Sequence, residues 1–236
     1  TRKESSAASD VYKRQVIDFN KKHLTPHRRN IITSFVDCAR RIIAEEGIES
    51  VTIKKLGECT DLNPATIYNY FDNVDHLLYF AELDIFDEFN DDLANWVKEG
   101  DDPLMVYKKV WRAFTKHAFD NAAKYREVLF SQLAKEHPDY LYQYRKIFPI
   151  VNNGFPAYLE KVLLSKTMEE KLKVLIDVAK YVGYFDEKSA KQTNDMSLYI
   201  FEGLLDRVAD GKVDKYEAYD NFCDYLEIIV ESLKLK

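Results

Sequence analysis

The chain has 236 residues, 46% apolar and 31% charged, with a net charge of −6 and only 7 glycines and 6 prolines. Glycine and proline punctuate turns, so their scarcity implies long elements with few breaks. No run approaches the 18 or so apolar residues of a membrane span, and no apolar stretch of signal-peptide length opens the sequence.

The three cysteines (Cys38, Cys59 and Cys223) are odd in number and far apart, with no CxxC pair. Neither a disulfide framework nor a structural zinc site is expected, and the cytoplasm is the expected compartment. Charge is unevenly spread. Residues 1–55 hold 12 Lys/Arg against 7 Asp/Glu, a net +5, so the remainder carries −11. A basic front on an acidic body points to the N-terminal part as the one that meets a polyanion.

Residues 1–26 show no sustained period and read as a disordered or appended lead-in, in which Lys21, Lys22 and His23 could form a basic arm. From 28 to 46, Ile31, Ile32, Phe35, Cys38, Ala39, Ile42 and Ile43 recur at helical spacing, and Gly47 follows where a C-terminal cap belongs. Thr52 is placed to cap a short helix over Ile53–Cys59, with Ile53, Leu56 and Gly57 inward and the glycine permitting close approach. Asn63 and Pro64 then have the residue types of an N-cap and first helical position, opening a second short helix to Phe71. A long helix is predicted from Asp72/Asn73 to Trp96. Further helices are predicted over the segment after Pro103, and over 122–136, 139–147, 155–164, 168–183, 188–209 and 214–234. No strand-like alternation of useful length appears, so the fold class is all-α.

Two short helices joined by a tight turn and preceded by a supporting helix make a helix-turn-helix. The stretch from Ile31 to Leu78, including AEEGIESVTIKKLGECTDLNPATIYNYFDNVDHLL, resembles the DNA-binding domain of TetR-family transcriptional regulators. The matching positions include Ala39, Gly47, Thr52, Ile53, Leu56 and Leu62, then Thr66, Ile67, Tyr68, Tyr70, Phe71 and Leu77. They cover about a fifth of the chain. Two positions depart from the pattern: Asp61 stands where the family usually has glycine, and Val74 where it commonly has a phosphate-binding lysine, with His76 nearby.

The resemblance implies three parts: a lead-in (1–26), a helix-turn-helix DNA-binding domain (27–74) and a helical effector-binding and dimerisation domain (75–236). Arg28, Arg29, Thr52, Lys54 and Lys55 are placed to hold phosphates, and Tyr68 and Tyr70 can offer hydroxyls. Asn63, Ala65, Thr66 and Asn69 are the candidates for base edges, asparagine for adenine and the methyl groups for thymine.

Within 80–185, rich in aromatics, the resemblance implies a pocket for a small apolar or aromatic effector. Its candidate lining is Phe86, Trp111, Phe114 and Phe130, with His117, Tyr144 and Tyr181. The last two helices suggest a homodimer interface through Tyr199, Gly203 and Leu204 on one, and Phe222, Leu226, Ile229 and Val230 on the other. The expected function is a regulator, commonly a repressor in this family. It would bind a palindromic double-stranded operator as a homodimer and be released by the effector.

No cofactor, metal or membrane partner is expected. An enzyme is disfavoured, because no G-x-S-x-G, P-loop or H-E-x-x-H signature occurs and the five histidines are scattered. The alternative is a protein-interaction module whose degenerate helix-turn-helix does not bind DNA specifically.

Overall fold

The computed structural model describes residues 24–152 and 154–235. The lead-in through residue 23, including Lys21, Lys22 and His23, lies outside them. Among the described residues the elements are helical and none is a strand. No helix among them is long and apolar enough to cross a membrane. They fall into two compact units divided between Glu82 and Leu83, one helix later than the 74/75 boundary expected from sequence.

The first unit holds α1 (Pro26–Glu46), a 3-10 turn (Ile48–Ser50), α2 (Ile53–Thr60), a short 3-10 helix (Pro64–Asn69) and α3 (Val74–Glu82). Thr25 caps α1, its hydroxyl accepting from the Arg28 backbone N–H at 3.3 Å, and Gly47 ends it at φ 88°. Ile32, Phe35, Val36, Ala39 and Ile42 form the buried stripe of α1. Leu56 from α2, Ile67, Phe71, and Leu77 and Phe80 from α3 complete this core. Full burial of each large apolar side chain stabilises by about 1.5–3 kcal/mol, so this small unit rests on a handful of residues.

The absence of a disulfide expected from the cysteine count is corrected here: Cys38 on α1 and Cys59 on α2 are bonded, their Cα atoms 6.1 Å apart. A separation of 21 in sequence disguises the proximity that packing α2 on α1 creates.

The second unit holds α4 (Ile85–Trp96), α5 (Pro103–Asp120), α6 (Ala122–Phe130), α7 (Gln132–Glu136), α8 (Tyr140–Ile147), α9 (Tyr158–Leu164), α10 (Met168–Tyr181), α11 (Glu187–Ala209) and α12 (Lys215–Leu233). Two predicted helices are broken. The one expected to run unbroken to Trp96 stops at Glu82, and a turn at Leu83–Asp84 intervenes with no glycine or proline to announce it. The 122–136 helix breaks at Ser131, whose hydroxyl caps the next helix by accepting from the Ala134 N–H. Serine can leave helical conformation because its side chain replaces a backbone partner.

Aromatic rings form the centre of this unit. Phe114 meets Phe89, Tyr125 and Phe201 at centroid distances of 5.3–5.7 Å, and Trp111 meets Phe201 and Phe222. On its flank, Glu227 of α12 receives both Lys108 and Arg112 of α5 at 2.9 and 2.6 Å.

Lys171 is an unusual member of the same unit. Its ammonium donates to the Val162 and Leu163 carbonyls at the end of α9. Burial pulls it from 10.5 down to about 7, the nearby Arg145 charge acting in the same direction and Glu170 opposing. Above pH 7 the unfolded chain still binds this proton and the folded chain does not, so stability should rise with pH. The urea midpoint of the second unit should therefore increase from pH 7 to about 8.5, and Lys171→Met should remove most of that slope.

Candidate nucleic-acid interface

Three backbone constraints define the helix-turn-helix. Thr52 has extended backbone and caps α2, its hydroxyl accepting from the Lys55 N–H at 3.2 Å. Asp61 ends α2 at φ 54° and ψ 30°, the sole non-glycine positive φ among the described residues. Aspartate is one of the few residues that visits this left-handed region, which is how the turn survives without the family's glycine. Asn63 then caps the next element, its side-chain oxygen accepting from the Ala65 N–H at 2.9 Å.

That next element differs from expectation: Pro64–Asn69 is a 3-10 helix, ending two residues before Phe71. The tighter winding projects Ala65 and Asn69 outward as exposed residues with Thr66 half-exposed, while Ile67 is fully buried. The segment is seated by contact with α2. A Cβ on Gly57 would lie 2.5 Å from Pro64 Cγ and 3.2 Å from the Leu62 carbonyl oxygen. Glycine there is a packing requirement, as its small size suggested.

The expected phosphate-binding residues have different environments. Lys54 is strongly exposed, with Glu58 at 3.7 Å. Lys55 is drawn onto Glu46 at 2.5 Å, which partly neutralises it. Arg28 and Arg29 are half-exposed in the first turn of α1. Tyr68 is half-buried, whereas Tyr70 is buried in the core beside Phe71 and Ile67. His76 does not substitute for the lysine replaced by Val74. It is 1% exposed, packed edge-on against Phe71 and Phe80, and its Nδ1 accepts from the Asp72 N–H.

In the second unit the effector candidates separate. Phe86, Trp111 and Phe114 lie in the aromatic centre, and Phe130 is half-buried. Two expected polar anchors are already engaged: His117 lies 3.1 Å from Asp92, and the Tyr144 hydroxyl donates to Asp87, which also receives Arg145. Tyr181 is 91% exposed at the end of α10, so it lines no interior site. Two residues were not foreseen from sequence. Asn90 and Thr115 are buried polar side chains on adjacent helices, and their Nδ2 and Oγ1 have no hydrogen-bond partner among the described residues. Their polar character within an apolar helix pattern was the available signal.

The expected dimer residues also need correction. Phe222, Leu226, Ile229 and Val230 are buried in the single chain, because that stripe of α12 faces the aromatic centre and touches Trp111. Tyr199 and Gly203 are exposed, and Leu204 is half-buried. The outward apolar residues include Met196 and Tyr199 on α11, and Tyr216, Tyr225 and Ile228 on α12, the last 62% exposed. A Cβ on Gly203 would meet no atom within 4 Å among the described residues.

A supporting helix, a capped short helix, a left-handed turn and an exposed short element define a DNA-binding helix-turn-helix. Residues 35–79 match the family described as "Bacterial regulatory proteins, tetR family". That segment, about a fifth of the chain, is therefore similar to the N-terminal, DNA-binding domain of TetR-family transcriptional regulators.

Solved structures are similar over most of their length. Thermus thermophilus FadR, a TetR-family repressor in complex with lauroyl-CoA, has a TM-score of 0.54 at 11% identity, over 87% of this chain and 96% of that one. RolR in complex with resorcinol has a TM-score of 0.52 at 16% identity, over 90% and 92%. A TetR regulator from Rhodococcus sp. RHA1 has a TM-score of 0.50 at 11% identity, over 87% and 97%. At such identities the likeness is one of fold. No curated protein matches the chain.

Two substitutions test this architecture. Gly57→Ala should destabilise the first unit by about 1–3 kcal/mol through overpacking, exceeding the ~1 kcal/mol that alanine gains in a helix. Asp61→Gly should stabilise it by up to about 1 kcal/mol by relieving the left-handed conformation. Chemical denaturation followed by signals from the first unit reads both.

Proposed function

We propose that the chain is a homodimeric regulator that reads a palindromic operator through Asn63, Ala65, Thr66 and Asn69 and is released by a small apolar or aromatic effector. The observation that carries this reading is the exposed edge of Pro64–Asn69, held by two caps and the Gly57–Pro64 contact. Asn63 uses its oxygen as a cap, leaving its amide N–H groups to donate. Asn69 keeps both ends of its amide outward and suits adenine, while the methyls of Ala65 and Thr66 suit thymine.

Phosphate contacts fall to the N-terminus of α2, where Thr52, the first backbone N–H groups of the helix and exposed Lys54 converge, with Arg28 and Arg29 from α1. Lys55 contributes after releasing Glu46, and Tyr68 offers a hydroxyl from its half-exposed position. Tyr70 supports the core.

Dimerisation uses the outward stripe Met196, Tyr199 and Gly203 on α11 with Tyr225 and Ile228 on α12. A pair of such helices from each subunit forms a four-helix bundle, and two recognition elements about 34–36 Å apart match successive major grooves. The effector site lies within the aromatic centre of the second unit, near Phe86, Trp111 and Phe114, where buried Asn90 and Thr115 supply the polar contacts that the chain leaves unmade. The complexes of RolR with resorcinol and of FadR with lauroyl-CoA are cases in which comparable folds hold an aromatic ligand and an acyl-CoA. An effector favouring a different separation of recognition elements would reduce operator affinity, and repression follows if the operator overlaps a promoter.

Selection from a randomised duplex pool at low and moderate salt should enrich a palindrome. Asn69→Ala should lose about 1–3 kcal/mol of discrimination at one position per half-site, whereas Lys54→Ala should weaken all sequences alike and reduce the salt slope by about 1 for each phosphate it no longer neutralises. Absence of any enrichment with a dimeric protein would favour a protein-interaction module. Tyr199→Asp with Ile228→Asp should give a monomer in sedimentation while the fold is retained; a persistent dimer would place the interface elsewhere.

A further inference from the structure

Cys38 and Cys59 lie on the two helices whose mutual position seats the recognition element. Their Cα separation of 6.1 Å falls inside the 4.4–6.8 Å range that disulfides require, so the backbone accommodates the bond. The two sulfurs have unequal surroundings. Cys38 is 4% exposed in the buried stripe of α1. Cys59 is half-exposed in the last turn of α2, two residues before the left-handed Asp61, and an Arg41 guanidinium nitrogen lies 2.7 Å from its sulfur. A partly exposed sulfur beside a guanidinium is the setting in which a cysteine undergoes thiol–disulfide exchange. Cys223, in the other unit, is also half-exposed, and there burial pushes the thiol up while Tyr219 and Arg112 oppose.

We propose that Cys38 and Cys59 are a reversible thiol–disulfide pair that ties α1 to α2, so that the redox state sets the rigidity of the helix-turn-helix. The oxidant is a low-molecular-weight disulfide. The Cys59 thiolate attacks one of its sulfurs, forming a mixed disulfide and expelling one thiolate. Cys38 then attacks the Cys59 sulfur, and the second thiolate leaves carrying the proton that Cys38 gives up. Two protein thiols are oxidised and one small disulfide is reduced to two thiols. Reduction reverses both steps.

In the oxidised chain the bond closes a loop spanning the end of α1, the 3-10 turn and nearly all of α2, which restricts the opened state. In the reduced chain the sulfurs must separate from bonding to van der Waals distance, and α2 loosens on α1. Because Gly57 of α2 seats Pro64, that loosening reaches the exposed edge. The oxidised form is therefore the one competent for tight DNA binding, a consequence that rests on the function proposed above, whereas the bond itself does not.

The test uses the full chain treated with glutathione disulfide or with dithiothreitol, then denatured, alkylated and mapped by mass spectrometry. The oxidised sample should contain a linked Cys38–Cys59 peptide with only Cys223 alkylated, and the reduced sample three alkylated cysteines. Amide exchange across residues 26–60 should slow by at least about tenfold on oxidation. That difference should vanish in Cys59→Ser and in Cys38→Ala.

Retention of a randomised duplex pool at low salt should be several-fold greater for the oxidised wild-type chain, with both variants behaving as the reduced form in either buffer. Three alkylated cysteines after oxidation, a link through Cys223, or a formed bond that leaves exchange unchanged would each overturn the proposal. Equal duplex retention in both states would overturn the control of DNA binding. If bond and exchange respond but no duplex is retained in either state, the thiol pair stands and the DNA-binding reading fails.

Discussion

Where α2 meets the recognition segment there is no room for a side chain: Gly57 presents backbone to the ring of Pro64, and the Leu62 carbonyl crosses beside it. Every later feature of the first unit depends on that approach. It lets Asn63 cap a segment too short to be stable alone, and it keeps Ile67 in the core while its neighbours face out. A single tight turn cannot fix an element by its own hydrogen bonds, since helix nucleation is unfavourable. Burial of Ile67 and Phe71 and the proline contact supply the missing stability.

The fold class and most helix positions were legible because apolar spacing and capping chemistry agree in this chain. Thr52 and Asn63 each stand at a helix start and each accept a backbone N–H. The misses have physical causes. The break at Leu83–Asp84 carries no glycine or proline, and both flanking segments keep a helical pattern. The 3-10 winding of Pro64–Asn69 is a matter of which carbonyl each N–H selects, and residue types do not encode that choice strongly.

The outward positions of the short element were readable for the same reason as the core: the buried residue fixes which neighbours point away. Surface roles on the final helices were not. Phe222, Leu226, Ile229 and Val230 form an apolar stripe, and such a stripe is the same in sequence whether it covers its own chain or a partner's. His76 shows a complementary ambiguity. It lies near an expected phosphate site in sequence, and what its position alone does not reveal is that Phe71 and Phe80 claim its ring for the core.

The edge formed by Asn63, Ala65, Thr66 and Asn69 bears no formal charge, while the lysines and arginines of this unit among the described residues stand on α1 and α2. In the proposed complex these two groups answer to different properties of the solvent. Counterion release belongs to the cations, and every duplex offers them the same phosphates. Hydrogen bonds and methyl contacts belong to the edge, and mobile ions screen them little. Ionic strength would then govern how long the protein stays on DNA of any kind, while the ranking of one sequence over another would stay nearly constant from dilute buffer to concentrated salt.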